Sequence, residues 1–279
     1  MQKLLSAIFI LFTISTQAQN TSCCSATGTF TEFSKDIAFV NKHDEPVPFT
    51  YVAQKGKMET FMCQDSTMAN AYVMQAAEPS NKYLLVFHEW WGLNDYIRQT
   101  AEQLYTDLGG KVHVIAVDLY DGRVAVKKDS AQKYLQSLTQ ERASMIVRSL
   151  ANKFGDDVRI ATIGWCMGGG YSLQASLLVQ ERAAGCVIYY GFPETDKERL
   201  QTLEADVLMI WPNQDKWINA EVVEQFRTTM DGLNKKLRIE EYNADHAFAN
   251  PSNPKHNPEM AADAYAKSLA FLKEKLGVK

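Results

Sequence analysis

A basic surplus is missing from this chain of 279 residues: 29 Lys and Arg stand against 33 Asp and Glu, for a formal net charge of −4. Nucleic acid and anionic membrane surfaces both call for a basic face, so neither is an expected partner. Apolar runs long enough to span a bilayer are missing too. The one long run, Leu4 to Ile14, falls short of the roughly 20 residues a spanning helix needs. There is no low-complexity segment and no repeat at a 20–50 residue period, which excludes solenoids and propellers. A zinc-protease H-E-x-x-H is absent, because His88-Glu89 is followed by Gly92 where the second histidine would stand. Cysteine is sparse. Cys23, Cys24, Cys63, Cys166 and Cys186 make an odd five, so at least one thiol stays unpaired within a monomer, and a chain of this size needs no disulfide staples.

What is present reads as a secreted α/β protein. Lys3, the apolar run Leu4 to Ile14, and the small residues Thr16 and Ala18 have the form of a signal peptide cleaved after about Ala18. Export places the mature chain in the periplasm or outside the cell. Residues 19–56 form a mixed, turn-rich extension, and 57–279 a single domain. Within it, 60–64 and 70–76 read as an antiparallel hairpin. Buried strands follow at 83–89, 111–120, 158–166, 184–191, 206–212 and 237–243, as continuous apolar or alternating runs. Helical spacing separates them at 97–108, 126–138, 140–153, 167–180, 220–233 and 259–275. Alternation of this kind predicts a mostly parallel sheet covered by helices on both faces. The stretch "NPSNPKHNP" (250–258) reads as a plain connector into the last helix.

The chemistry concentrates at "IGWCMGGGY" (163–171). Gly164-x-Cys166-x-Gly168 lies between a predicted strand and a predicted helix, the setting of a nucleophile elbow. Flanking glycines let helix and neighbouring strand approach the turn closely. The turn projects the sulfur at the sheet edge, and the helix N-terminus favours thiolate. The Met167 backbone N–H is then an oxyanion donor. A thiol nucleophile needs a base, and the base an orienting carboxylate. Asp215, in "NQDKW" after one strand, and His246, in "DHAFAN" after the last, follow Cys166 in the order this architecture uses. All three fall at strand C-terminal ends, where open α/β sheets bind ligands. Cys186, inside an apolar run, reads as structural.

Two further strand ends supply candidates. "VFHEWWGLND" offers the Trp90 backbone N–H as second oxyanion donor, Trp91 beside it as an apolar wall, and Glu89 close to the thiol. His88 reads as structural. "DLYDGR" offers Tyr120 as a pocket wall and Arg123 as a fork for a substrate carboxylate.

In this order, "HEWWGLN", "DLYDGR", "GWCMGGG", "NQDKW" and "DHAFANP" resemble the dienelactone hydrolase family, from about residue 57 to the C-terminus. The resemblance implies the α/β-hydrolase fold, a mostly parallel central sheet with helices on both faces, and a Cys166–His246–Asp215 triad acting on a lactone or activated ester. It also implies a Glu89 that helps move the thiol proton only when substrate binds. "DLYDGR" carries one residue more than the common family form. Asn250 stands near where the family's well-known enzyme has a carboxylate-binding arginine, so dienelactone itself does not follow as the substrate. The expected function is hydrolysis of a small lactone or activated ester through a thioester acyl-enzyme, with no metal or organic cofactor. Alternatives are a general carboxylesterase, or a non-hydrolytic binding or redox-sensing protein that keeps the fold.

Overall fold

The structure, a computed structural model, describes residues 26–279. The expected signal peptide, Cys23 and Cys24 lie outside the described residues. A hairpin of β1 (Lys57–Met62) and β2 (Met68–Met74) opens the sheet. The chain then alternates through β3 (Lys82–Phe87), α3 (Asp95–Asp107), β4 (His113–Val117), α4 (Lys128–Ser137) and α5 (Gln140–Phe154). It continues through β5 (Arg159–Trp165), α6 (Met167–Val179), β6 (Ala183–Tyr189), α7 (Lys197–Gln201) and β7 (Asp206–Pro212). The last elements are α8 (Ala220–Gly232), β8 (Leu237–Tyr242) and α9 (Pro258–Leu276). Two short helices, α1 (Ala26–Phe33) and α2 (Ile37–Lys42), precede the domain.

The eight strands order as β1-β2-β4-β3-β5-β6-β7-β8. β2 is antiparallel to both neighbours and every other pair is parallel. This is the expected α/β-hydrolase fold. The chain leaves β3 in one direction to β4 and returns on the other side as β5, so a crevice opens at the C-terminal ends of these strands. β5 buries every residue from Ile160 to Trp165, as a strand covered on both faces must. α6 buries twelve of its thirteen residues against the centre of the sheet, which is why its sequence shows no polar face. The longer helices start where sequence chemistry places a cap. Asn94, Thr139, Asn219 and Asn257 each accept a hydrogen bond from a backbone N–H of the first turn.

The expected elements are present with boundaries moved by a few residues. Three helices were not expected: α1, α2 and α7. Each has eight residues or fewer, too short to persist on local propensity, and exists because it packs on the domain. Within the turn-rich extension, residues 26–42 therefore carry two helices. The strap following α2 is tied down at Glu102 on α3. That buried carboxylate accepts hydrogen bonds from Lys55 N and Gly56 N, both at 2.9 Å, Gln54 N at 3.0 Å, and the hydroxyls of Tyr51 and Tyr72. Burial opposes the charge, but this ring of donors outweighs it and lowers the pKa from 4.5 to about 2.

A folded pKa below the unfolded value means the stabilisation is present above about pH 4.5 and is lost as pH falls towards 2. Glu102→Gln should lower stability at pH 7 by ~2 kcal/mol. It should also expose the strap to limited proteolysis, read by mass spectrometry of cleavage within 44–56. Wild-type protein should show the same cleavage only at acid pH.

Candidate active site

Between β5 and α6 the chain turns at a single residue. Cys166 has φ 55° and ψ −121°, a region strained for any side chain but glycine. The surroundings enforce it. A Cβ on Gly164 would lie 2.0 Å from Gly168 O, and one on Gly168 would lie 2.4 Å from the carbonyl oxygens of Phe87 and His88. Both glycines are thus required for the close approach expected from the sequence. Cys166 N donates to Tyr189 O at 2.9 Å, which fixes the turn to β6.

The loops after β7 and β8 bring the other two expected residues together. Asp215 accepts hydrogen bonds at Oδ1 from Trp217 N (2.9 Å) and Ile218 N (3.1 Å). Its Oδ2 lies 2.6 Å from His246 Nδ1. That contact places the ring proton on Nδ1 and leaves Nε2 as an acceptor, and Nε2 is buried with no hydrogen-bond partner. The sulfur of Cys166 and a ring nitrogen of His246 lie within 4.8 Å. Cys166, Cys63 and Cys186 are all free, so the sulfur is not held in a disulfide.

Burial dominates the protonation states. It pushes the Cys166 thiol up, with His246 and the Met167 backbone N–H pulling the other way. Burial opposes charge on His246 too, but Asp215 and the sulfur overrule it and lift the ring well above its ordinary value. The sulfur helps only as thiolate, which its own raised pKa denies it at rest. With the thiol protonated that support is withdrawn, and burial, the largest single effect on the ring, favours its neutral form; the resting pair is a thiol beside a neutral imidazole oriented by Asp215. Asp215 itself is lowered: His246 and two backbone donors outweigh its burial.

Glu89 closes the site from the β3 side. Its Oε1 accepts from Tyr190 Oη at 3.3 Å and its Oε2 from Asn250 Nδ2. Burial raises its pKa to about 7, against the opposing pull of His246, Tyr190 and Asn250. The 250–258 stretch is thus not a plain connector. Asn250 holds Glu89 with one end of its amide and accepts from Ser252 N at 2.8 Å with the other. It serves the glutamate, where an arginine would serve a substrate carboxylate.

The remaining sequence candidates divide. Met167 begins α6, and its N–H faces the sulfur. Trp90 is fully buried, with its ring 4.5 Å from that of His43. Trp91 lines a cavity of about 380 Å³, together with Glu89, Trp165, Tyr189 and Asn250. Cys166, His246 and Asp215 do not line this cavity, which reaches the site only along its Glu89 flank. Tyr120 is buried and donates to Met167 Sδ at 3.3 Å, a packing contact beneath the elbow rather than a pocket wall. Arg123 is not brought to the site. Its Nε donates to Tyr120 O, and its guanidinium lies over the ring of Tyr134, 4.8 Å from the centroid. His88 is structural, as expected: Nδ1 is bonded to Glu89 O and Nε2 accepts from Leu119 N.

Sequence reasoning passed over His43 and Phe39. His43 caps the C-terminus of α2, with Nδ1 2.8 Å from Phe39 O and Nε2 3.9 Å from Cys166 Sγ. Burial, with His246 nearby, lowers its pKa to about 3, so the ring is neutral. Phe39 packs against Trp90, Trp217, His43 and His246. Together they fill the space over the sulfur, leaving Cys166 1% exposed. The spacing Phe39-x-x-x-His43, one helical turn, is the only signal the sequence carried for them.

An eight-stranded sheet of this order, with a strained turn after its fifth strand and an Asp–His pair after its seventh and eighth, is the arrangement of an α/β-hydrolase. Residues 69–276 match the dienelactone hydrolase family, and the chain belongs to it as a hydrolase acting on ester bonds. It is 24% identical over 204 residues to protein usf of Aquifex pyrophilus, covering 69% of this chain and 88% of that protein. It is also 24% identical over 221 residues to carboxymethylenebutenolidase 1 of Cupriavidus pinatubonensis, covering 72% and 90%. Among solved structures, a dienelactone hydrolase-like promiscuous phosphotriesterase from metagenomic libraries superposes with a TM-score of 0.65. That pair is 16% identical, covering 80% of this chain and 100% of the other. The Pyrococcus furiosus esterase Pf2001 superposes with a TM-score of 0.61 at 14% identity, covering 84% and 97%.

If Phe39 shields the sulfur, Phe39→Ala should speed alkylation of Cys166 by iodoacetamide at least about tenfold, the change expected when local opening becomes easier by ~1.4 kcal/mol. Peptide mass spectrometry separates Cys166 from the other thiols. An unchanged rate would mean that another group controls access.

Proposed function

We propose that this hydrolase uses Cys166 as nucleophile on a small lactone or activated ester and proceeds through a thioester acyl-enzyme. The observation that carries the reading is the His246 ring. Its Nδ1 is held by Asp215 at 2.6 Å and its free, buried Nε2 stands beside the sulfur of a strained turn. Substrate enters when Phe39 and His43 draw back. His246 Nε2 takes the thiol proton, with Glu89 in its carboxylate form assisting the transfer, and the thiolate attacks the acyl carbon while His246 becomes the imidazolium. The N–H groups of Met167 and Trp90 hold the oxyanion, each contributing ~3 kcal/mol. In a lactone the leaving oxygen stays attached to the acyl chain, takes a proton from the His246 imidazolium, and leaves the base free. Water activated by His246 then cleaves the thioester and releases the acid. A thiolate favours acyl groups whose leaving oxygen is stable, hence lactones and enol esters over amides. The likeness to carboxymethylenebutenolidase 1 of Cupriavidus pinatubonensis supports a lactone. The engagement of Asn250 by Glu89 favours one without a free carboxylate. The signal-like N-terminus supports export to the periplasm or beyond.

With p-nitrophenyl acetate the wild type should give a burst of nitrophenolate. Cys166→Ala and His246→Ala should each cut kcat/KM by at least ~1000-fold. Full activity in Cys166→Ala would end the proposal and favour a general esterase using another nucleophile. The carboxylate form of Glu89 is required, and its pKa is raised to about 7. So kcat/KM should rise as pH passes through about 7, and Glu89→Gln should abolish that rise. N-terminal sequencing of protein recovered from the cell envelope or medium should begin near Gln19. A cytoplasmic protein beginning at Met1 would overturn export.

A further inference from the structure

Cys166 is flanked by two imidazoles, and the esterase chemistry above uses only one. His43 Nε2 is 3.9 Å from Cys166 Sγ, and the ligand atoms of His43, Cys166 and His246 all lie within 4.8 Å of one another. All three side chains are at least nine-tenths buried. Each imidazole has its Nδ1 committed to an acceptor: His43 to Phe39 O at 2.8 Å, and His246 to Asp215 Oδ2 at 2.6 Å. Both Nε2 lone pairs therefore point inward, and that of His246 has no hydrogen-bond partner. One thiol proton can satisfy one of these acceptors and not both. An unsatisfied buried acceptor costs about 1–3 kcal/mol, so the cluster has a standing reason to take up something that answers both rings and the sulfur.

A single soft divalent cation does so. Thiolate plus two imidazoles is the donor set of zinc, not of magnesium or calcium. Metal-bound histidines characteristically donate their other ring nitrogen to a carboxylate or a backbone carbonyl, and here one ring does each. Zinc–sulfur and zinc–nitrogen bonds of about 2.3 and 2.0 Å put tetrahedral donor atoms roughly 3.5 Å apart. The present separations of 3.9 Å and up to 4.8 Å need only a modest contraction.

We propose that His43, Cys166 and His246 form a three-ligand site for Zn²⁺ or a like cation, with the fourth position left to water. Binding releases the Cys166 thiol proton to solvent and forms a metal–thiolate bond, with no change of oxidation state. Because His43 belongs to the N-terminal segment and the other two ligands to the domain, the ion fastens that segment over the elbow. It also occupies the sulfur and His246 Nε2 together. The metal site stands on geometry alone; that the ion switches hydrolysis off rests on the Cys166 nucleophile proposed above.

The test is titration of chelator-treated full-length mature protein, in a C23S/C24S background, with Co²⁺ alone and then Zn²⁺ alone. Co²⁺ should give a near-ultraviolet thiolate-to-metal band and intense visible bands of a tetrahedral site, at one ion per chain, and Zn²⁺ should abolish both. Cys63→Ser and Cys186→Ser should keep the spectrum and Cys166→Ser should lose the ultraviolet band. His43→Ala and His43→Gln, checked for folding by circular dichroism, should weaken binding at least about tenfold, more than ~1.4 kcal/mol. Absence of a thiolate band at saturating Co²⁺, or the same affinity in both His43 variants, overturns the site. Ester hydrolysis by metal-free protein is assayed in parallel. An inert apoprotein that binds Co²⁺ would overturn the hydrolytic reading and leave the metal site standing. An active apoprotein unaffected by stoichiometric Zn²⁺ would overturn the switch.

Discussion

Everything at this site depends on a backbone conformation that Cys166 would not choose by itself. A φ of 55° costs on the order of 1–3 kcal/mol, and it persists because the chain on either side has nowhere else to go. Gly164 touches the first turn of α6, Gly168 touches the end of β3, and the Cys166 amide is bound to β6. The central strands are buried on both faces, so the turn cannot relax without disturbing the core they share. The strain places a sulfur at the mouth of the sheet, at a helix N-terminus, where the loops after β3, β7 and β8 converge on it.

Burial then sets the character of the site. In low dielectric a thiol resists ionisation, a carboxyl resists charge, and an imidazolium is tolerated only beside a fixed anion. Cys166 and Glu89 are both raised, while Asp215 remains charged and anchors His246. The result is a resting thiol that is protected rather than activated. The N-terminal helices complete the protection physically, through Phe39 and His43, and Glu102 holds the strap that follows them.

The elements with strong periodicity or continuous apolar runs were legible in the sequence. So were the three strand-end residues, because chain order in this architecture maps onto position. Glu89 was legible from its loop, though its partner was not. Asn250 is 161 residues away from it, and no local pattern marks an amide that will bind a glutamate. Arg123 illustrates the reverse error. Its place after a strand suggested a substrate fork, but Gly122, at φ 86°, and the bond to Tyr120 O turn it towards Tyr134. α1 and α2 were unreadable for a thermodynamic reason: segments of eight and six residues gain their helicity from the surface they dock on.

By itself, then, the sequence determined a mostly parallel sheet and a glycine-flanked cysteine turn, with an aspartate and a histidine arriving in the right order. These follow from hydrophobic period, turn chemistry and connectivity, all of which are local or ordinal. Tertiary structure alone decided that the turn would be covered by the chain's own N-terminal segment. It alone decided that a second imidazole would face the sulfur, and that an asparagine would hold the glutamate. Those are contacts between residues over a hundred positions apart, and only the folded sheet brings them within bonding distance.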